Sequence, residues 1–359
     1  MVMAGAIQEP ESILVCHIEL DRGFRGGERQ TELLIRELAA RGCNQRLVAR
    51  RGAILAQRLA DVSGLEIKVC SGLLSAARCI GKPDLVHVHQ GRAMYPAFLR
   101  RIFSGVPYII TRRVPNPPGK GWLTRRAYAG ASKLVAISGA VAQVMSEVLA
   151  LQQESIAVIP DAFEPLESDP DTARQLRAKW GGEFVVGHVG ALDHEHKGQG
   201  DLIKVAREFA DSHPDVRFVL VGSGRDEERF KEQSSGLANL HLAGFQDRVG
   251  DYLQAFDLFA FPSIKEGMGS VLLDAMDHDL AVVASDVGGI PEVVNHGQTG
   301  ILVPASNPAQ LGQAIAKLYM DPALRRKLGQ AGKIRSTQFS AAIMAERYLP
   351  VYKESIGLA

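Results

Sequence analysis

Long apolar runs are missing from this chain of 359 residues. None approaches the roughly 20 residues that a membrane-spanning helix needs, so any contact with a bilayer is expected to be peripheral. The leader Met1 to Glu11 carries Glu9 and Glu11 and lacks the basic-then-apolar order of a secretion signal. Cysteine is also scarce. Cys16, Cys43, Cys70 and Cys79 all lie in the first quarter without metal-type spacing, the pattern expected of reduced thiols in a cytoplasmic protein. No nucleic-acid reader motif and no interleaving of aromatic with basic residues occurs, so nucleic acid is not an expected partner.

What is present describes a globular enzyme. Hydrophobic residues make up 46% and charged residues 23%, which excludes disordered and fibrous classes. The length is too great for one ordinary core and suits two domains. The net charge of +1 conceals an asymmetry. Residues 1 to 165 hold 21 Lys/Arg against 14 Asp/Glu, and residues 166 to 359 hold 20 against 26. Basic pairs stand at Arg100-Arg101, Arg112-Arg113 and Arg125-Arg126. They suit a phosphorylated lipid acceptor or an anionic membrane face, or else form an ordinary solvated surface.

β-branched apolar runs alternate with helical patterns along the whole chain, which predicts parallel sheets covered on both faces. In the first half the predicted strands are Ile13 to Ile18, Arg46 to Ala49, Ile67 to Cys70, Leu85 to His89, Tyr108 to Thr111, Leu134 to Ile137 and Ala157 to Ile159. The second half begins again with Phe184 to Val189 and continues with Arg217 to Val221, Leu240 to Ala243, Leu258 to Phe261, Ala281 to Ala284 and Gly300 to Val303. Between strands lie helices such as Glu28 to Ala40, whose Leu33, Leu34 and Leu38 share a face. The expected fold class is α/β, with two Rossmann-like doubly wound domains. Pro160, Pro165 and Pro170 interrupt an acidic stretch without periodicity, which places the join there. The expected domains are 1–163 and 164–340, followed by a closing helical segment within 341–359.

The most informative segment is Glu266-Gly267-Met268-Gly269-Ser270 followed by Asp274. It follows a strand ended by Pro262 and opens a helix predicted over Ser270 to Met276, so Glu266 to Ser270 is a connecting loop. Unpaired N–H groups at a helix start can hold a phosphate. Eight positions of helical rise, about 12 Å, let Glu266 meet a sugar while Asp274 reaches the ribose of the same donor. The bland reading is an acidic loop with a helix surface charge.

Other turns carry complementary groups. Gly190 to Gly198 leads from a strand into a helix, and Lys197 there can neutralise charge developing on a nucleoside-diphosphate leaving group. His194 and His196 alternate on what reads as an extended loop, but two histidines without a third convergent ligand make a weak metal site. Arg25-Gly26-Gly27-Glu28 opens the first helix, and its glycines let backbone amides approach a ligand. Gly222-Ser223-Gly224 ends a strand where a nucleotide can come close. His87 and His89 share one face of a strand. His89, Gln90 and Arg92 are candidate acceptor contacts, or His89 is a hydrogen-bonded structural histidine. Arg112 and Arg113 can pair with a phosphate or carboxylate but cannot act as bases at neutral pH.

These motifs, in order, resemble the retaining glycosyltransferases called family 4, which have the two-domain GT-B fold, and in particular those of bacterial envelope glycan and lipopolysaccharide synthesis. Glu266 to Asp274 is similar to the family's E-x7-E signature with Asp in place of the second Glu. Arg25 to Arg29, His194 to Gly198, Val221 to Gly224 and Ser285 to Val294 continue the resemblance. Gly244-Phe245-Gln246 resembles the family's base-contacting loop. Two departures stand out: Ala191 replaces an Arg that usually clamps phosphate, and Arg113 replaces the histidine of a Thr-x-His-Gly.

The resemblance implies domains facing across a cleft, a closing helix that packs back on the first domain, and metal-independent transfer of a hexose-type sugar with retention. Lys197 and Glu266 are the implied catalytic groups. Gly26, Gly27, Gly222, Gly244, Phe245, Gln246, Gly267, Met268, Gly269, Ser270 and Asp274 are assigned to the donor, and His89, Arg92, Arg112 and Arg113 to a glycan or lipid-linked acceptor. No cofactor is required beyond the nucleotide-sugar donor, and a cytoplasmic site of action, at the inner membrane face where the acceptor is lipid-linked, is expected. A nucleotide-sugar 2-epimerase and a catalytically silent nucleotide-sugar-binding protein are the rival readings. Product formed without acceptor marks the first, and donor binding without turnover marks the second.

Overall fold

The computed structural model describes residues 13–358, so the leader Met1 to Glu11 lies outside the described residues. The chain divides into two compact units, Met1–Pro160 with Ala341–Ala359, and Asp161–Ser340. The division falls before Phe163 and not after it. The Phe163 N–H donates to the Phe339 carbonyl at 3.0 Å, and Phe163 bridges Ser340, which ties this residue to the second unit.

The first unit is built on seven parallel strands: β1 Leu14–Glu19, β2 Asn44–Arg50, β3 Leu65–Cys70, β4 Leu85–Val88, β5 Tyr108–Arg112, β6 Lys133–Ala136 and β7 Ile156–Val158, in the order β3-β2-β1-β4-β5-β6-β7. The second has β8 Phe184–Val189, β9 Val216–Val221, β10 Leu240–Gly244, β11 Leu258–Phe261, β12 Ala281–Ser285 and β13 Gly300–Val303, in the order β10-β9-β8-β11-β12-β13. Each is a doubly wound sheet whose strand order reverses once, at β1/β4 and at β8/β11. Ligands of such sheets bind beyond the carboxyl ends of the strands at that reversal. The residues of interest should therefore follow β1, β4, β8 and β11.

Continuous apolar strands are what a sheet covered on both faces demands. Leu258, Phe259, Ala260 and Phe261 of β11 are all fully buried, and Phe184, Val186, Phe218, Leu220, Ile203 and Phe209 belong to one core beneath the second sheet. Burying each such large side chain contributes about 1.5–3 kcal/mol. In the first unit the helix Gly26–Ala40 buries Leu33, Leu34 and Leu38. The helix Ala341–Ser355 buries Tyr348 and Tyr352 in the same unit, and Lys133–Glu354 at 2.9 Å fastens its far end. All four cysteines are unbridged.

Two local expectations need correction. Only Val271–Asp277 is helical after β11, so Glu266 to Ser270 contributes no helical rise and the 12 Å spacing does not apply. His194–Lys197 is a single helical turn and not an extended loop, because the Lys197 and Gly198 N–H groups reach back to the Asp193 and His194 carbonyls at 2.7 and 3.0 Å. His194 and His196 therefore do not point the same way by strand alternation.

Candidate functional site

At the β8/β11 reversal the loops that follow the two strands are stitched together. The His196 carbonyl accepts both the Ile264 and the Lys265 N–H, at 2.8 and 3.0 Å. Gly198 has φ +66°, and a Cβ there would overlap the Pro262 carbonyl oxygen, so only glycine lets the loops pass this closely. The approach brings Lys197 Nζ within 2.5 Å of Glu266 Oε2, although the two are 69 positions apart. Lys197 Nζ also lies 5.2 Å from the centre of the Phe261 ring. Ser263 Oγ donates to the same Glu266 oxygen at 3.4 Å, and the Gly267 N–H donates to Glu266 Oε1 at 3.2 Å. From the other side Gly288, with φ +54°, makes room for the Glu266 carbonyl, where a Cβ would collide with it.

Next to this pair the chain leaves donors unused. Among the described residues the N–H groups of Met268, Gly269 and Ser270 meet no acceptor. Three amides without an acceptor, on the loop that begins at the ammonium-bound Glu266, are the donors from which an oxyanion site is made. Met268 is 2% exposed, so its contribution to a ligand would come from its backbone. Asp274, in the first turn of the helix Val271–Asp277, is 3% exposed.

The remaining groups of this turn hold its shape. His196 Nδ1 pairs with Asp193 Oδ2 at 3.0 Å, and His194 Nδ1 accepts the Gly200 N–H at 3.3 Å. Arg225, which sequence reasoning passed over, binds Asp193 and Glu195 at 2.8 and 2.7 Å. Its charge is thus committed to the loop, and Lys197 is the cation at Glu266. Ala191 places a methyl group where the expected clamp would be, and its carbonyl accepts Gln199 Nε2 at 2.7 Å. Beneath lies His188, fully buried, with Nδ1 donating to the Ala260 carbonyl at 2.9 Å. Burial first, and the charge of Lys197 further, push its pKa down to about 4, so it is a neutral prop at physiological pH. Gly222 donates to the Gly244 carbonyl at 2.8 Å. Phe245 stands 67% exposed, an open face on which a ring can stack, and Gln246 Nε2 is tied to the Ala243 carbonyl at 2.7 Å.

The first unit has its own polar group at the β1/β4 reversal. His17 and His87 are register partners, and His89 follows β4. Gln45 Nε2 donates to the Ile35 carbonyl, so Gln45 Oε1 faces His17 Nε2 at 3.0 Å. That fixes His17 with its proton on Nε2. His17 Nδ1 then accepts from His89 Nε2 at 2.9 Å, which leaves His89 Nδ1 to accept from Arg113 Nη1 at 3.4 Å. His87 meets Tyr352 Oη at 2.8 Å and Thr111 Oγ1 at 2.7 Å. Burial above all, and the Arg113 charge further, hold His17 down at about 3 and His87 and His89 well below the ordinary histidine range. The ligating atoms of the three histidines lie within 4.8 Å of one another. Every ring nitrogen already has a partner, however, and a cation stands beside them, so this donor set is not arranged for a metal ion.

Gly26 and Gly27 open the helix Gly26–Ala40, where Glu28 Oε2 accepts the Arg25 N–H at 2.8 Å, and the Cβ position of Gly27 is 4.0 Å from Arg113 Cδ. Gly27, His89 and Arg113 thus converge. Arg112 does not join them, because its guanidinium binds Tyr128 Oη at 3.0 Å and the Asn116 carbonyl. Arg92 lies exposed in the turn Gly91–Ala93. Glu19, also passed over by the sequence reading, is 2% exposed. Burial raises its pKa to about 7 against the opposing Asp21 N–H, with Glu28 adding to the rise.

Comparison with known proteins points to one family. Residues 24–165 match the family described as Glycosyltransferase Family 4, and residues 183–321 match Glycosyl transferases group 1. The alpha-maltose-1-phosphate synthase of Mycolicibacterium smegmatis is 31% identical over 310 residues, 75% of this chain and 79% of the relative. The 2-deoxystreptamine glucosyltransferase of Streptomyces kanamyceticus is 29% identical over 263 residues, 69% of this chain and 64% of the relative. In fold the chain is similar to HepE of Anabaena, solved with UDP and glucose, at a TM-score of 0.82 and 20% identity over 94% of this chain and 99% of that one. It is also similar to the lipopolysaccharide outer core galactosyltransferase WaaB, at a TM-score of 0.71 and 15% identity over 94% and 98% of the two chains.

Proposed function

The chain belongs to the family 4 glycosyltransferases, with the Rossmann-like domains of the GT-B fold, and from that membership we propose that it moves a hexose-type sugar from a nucleoside diphosphate to a glycan or lipid-linked acceptor, with retention and without a metal. The observation that carries this reading is the Lys197–Glu266 contact beside the open amides of Met268 to Ser270. Without donor the ammonium and the carboxylate neutralise each other. When the donor enters, its diphosphate takes over Lys197 and the amides, and Glu266 is released to orient the sugar hydroxyls. Asp274 serves the ribose, Phe245 stacks on the base, and Gly222, Gly244 and Gln246 shape the base loop.

As the bond between the anomeric carbon and the diphosphate oxygen breaks, negative charge grows on that oxygen. Lys197 and the amides stabilise it more strongly than they do the bound ground state, which is the condition for rate enhancement. The acceptor hydroxyl attacks from the face that the diphosphate leaves. Its proton passes to the departing phosphate oxygen, so charge and atoms balance without a protein nucleophile. On the acceptor side His89 holds Arg113, which pairs with a phosphate or carboxylate, while Gly26, Gly27 and Arg92 complete the contacts. An anionic envelope glycan such as a lipopolysaccharide core fits this chemistry, and the resemblance to WaaB in fold accords with it.

The test is transfer kinetics with Lys197→Ala and Glu266→Gln. Each is expected to lower kcat by about 10²–10³-fold, the range seen when one preorganised charge or donor is removed from a developing oxyanion. Proton NMR of the new linkage is expected to report the same anomeric configuration as the donor. Unchanged turnover in both variants removes these residues from the chemistry, and an inverted product overturns retention.

A further inference from the structure

Between Leu85 and Ser146 the chain contains no aspartate or glutamate but nine Lys/Arg. Folding engages five of the nine. Arg100 binds the Gly81 carbonyl and Arg101 the Gly105 carbonyl, each at 2.6 Å. Arg112 binds Tyr128 and Asn116, Arg113 stands against His89, and Lys133 pairs with Glu354. The other four, Arg92, Lys120, Arg125 and Arg126, are exposed. Among the described residues none of these four meets a carboxylate.

The four gather at one edge. Lys120, Arg125 and Arg126 lie on the connection from β5 into the helix Trp122–Ala129. Tyr95 Oη meets Thr124 Oγ1 at 3.0 Å, which holds the start of that helix beside the helix Met94–Ser104 that follows Arg92. In their midst two large apolar side chains face water: Trp122 is 72% exposed and Leu123 41%. Thr124, Ala127 and Tyr128 bury the other side of the same helix, so the outward direction of Trp122 and Leu123 is not a packing requirement of the fold. Pro115, Pro117 and Pro118 stiffen the approach to them. The Arg126 guanidinium stands 5.8 Å from the Trp122 ring centre.

We propose that this tip, Trp122–Leu123 ringed by Lys120, Arg125, Arg126 and Arg92, docks the protein on an anionic lipid bilayer. The inference rests on the reading of the acceptor as lipid-linked and names the surface that delivers the enzyme to it. Charge complementarity selects an anionic partner, since unpaired cations are attracted to anionic leaflets. The apolar pair selects a bilayer over a soluble polyanion. A nucleic acid or acidic glycan would satisfy the cations and could stack a ring on Trp122, but it would leave the aliphatic Leu123 in water, whereas a headgroup boundary accepts both apolar side chains and the cations, as interfacial tryptophans flanked by Lys and Arg do. A second exposed apolar pair, Ile102 and Phe103, sits at the opposite end of the helix Met94–Ser104 from Arg92 and Tyr95, and is not part of the surface. The docking tip shares its sheet edge with Gly27, His89 and Arg113. An acceptor anchored in the same leaflet would therefore arrive beside those groups.

The chain offers its own probe, because of its two tryptophans Trp180 is 6% exposed and Trp122 is the one in water. With phosphatidylglycerol-containing vesicles the full chain is expected to co-sediment and its emission to shift to the blue. With pure phosphatidylcholine, or in about 1 M salt where the Debye length is about 3 Å, neither should happen. Lys120→Glu, Arg125→Glu and Arg126→Glu together should abolish co-sedimentation, since each lost cation weakens binding about fivefold. Trp122→Ser with Leu123→Ser should weaken it at least tenfold, whereas Phe103→Ser should not change it. Thermal stabilisation by nucleoside diphosphates, run on every variant, reports an intact second unit and tests the glycosyltransferase reading separately. Absence of anionic-vesicle binding in the wild type, or binding that survives the triple charge reversal, overturns the proposal. Capture by soluble DNA or acidic glycan as tight as by vesicles, with no emission shift, makes the surface a polyanion site instead.

Discussion

Glu266 is held by a neighbour that has no side chain at all. Gly288 lies beyond β12, yet its missing Cβ is the space that the Glu266 carbonyl occupies. A methyl group there must displace the loop, and φ +54° already disfavours any other residue. Gly288→Ala is therefore expected to lower kcat by about tenfold to a hundredfold, the cost of misplacing a reacting group by about 1 Å, with the circular dichroism spectrum unchanged. Wild-type kcat in that variant would show that Glu266 does not depend on this support. Lys197 and Glu266 were legible in the sequence because each stands in a turn that follows an apolar strand, and the resemblance of those turns to the family's motifs gave them their roles; that the two strands are neighbours emerges only in the sheet order. The commitment of Arg225 to Asp193 and Glu195 was not legible, since these residues meet only after β9 lies down beside β8 and nothing local announces the pairing.

The strands were the most readable elements, because two-sided burial leaves uninterrupted apolar runs such as Leu258 to Phe261. The turn His194–Lys197 was misread as extended. Its helical shape comes from backbone bonds to Asp193 and His194 and from the loop closing over it, and a four-residue turn has too few positions to show a period. The histidine chain of the first unit was half visible. The spacing of His87 and His89 on one strand placed both on one face, but His17 enters only through the β1/β4 register. The same holds for the closing helix Ala341–Ser355, whose Tyr352 hydroxyl meets His87 Nδ1. Tyr352→Phe strands a buried ring nitrogen and is expected to cost about 1–3 kcal/mol of stability, read as a lower urea midpoint. An unchanged midpoint would mean that the contact is not part of the folded ground state.

Taken as a whole molecule, stability should depend on pH through its buried histidines. His17, His87, His89 and His188 are neutral when folded, with pKa values below that of a free imidazole. Their contribution is complete above about pH 6.5 and is lost as pH falls, because the unfolded chain then takes up protons that the folded chain refuses, with a slope of about 1.4 kcal/mol per pH unit for each. Glu19 works the other way. With a folded pKa raised to about 7, it stabilises most below the ordinary carboxyl range and loses that contribution as pH rises towards 7. Four histidines against one carboxyl leave a net loss on acidification, so the urea midpoint should fall steadily below about pH 6.5. A midpoint that holds constant there would mean that the rings are charged in the native state.

The central claim is that Lys197 and the open amides of Met268 to Ser270 grip a diphosphate in the second unit. Titration calorimetry that compares a nucleoside diphosphate with its monophosphate, in the wild type and in Lys197→Ala, isolates that grip from every contact to base and ribose. The wild type is expected to bind the diphosphate at least tenfold more tightly and the variant to lose most of that preference while holding the monophosphate as before. Equal affinity for the two nucleotides in the wild type, or an undiminished preference in Lys197→Ala, would contradict the account.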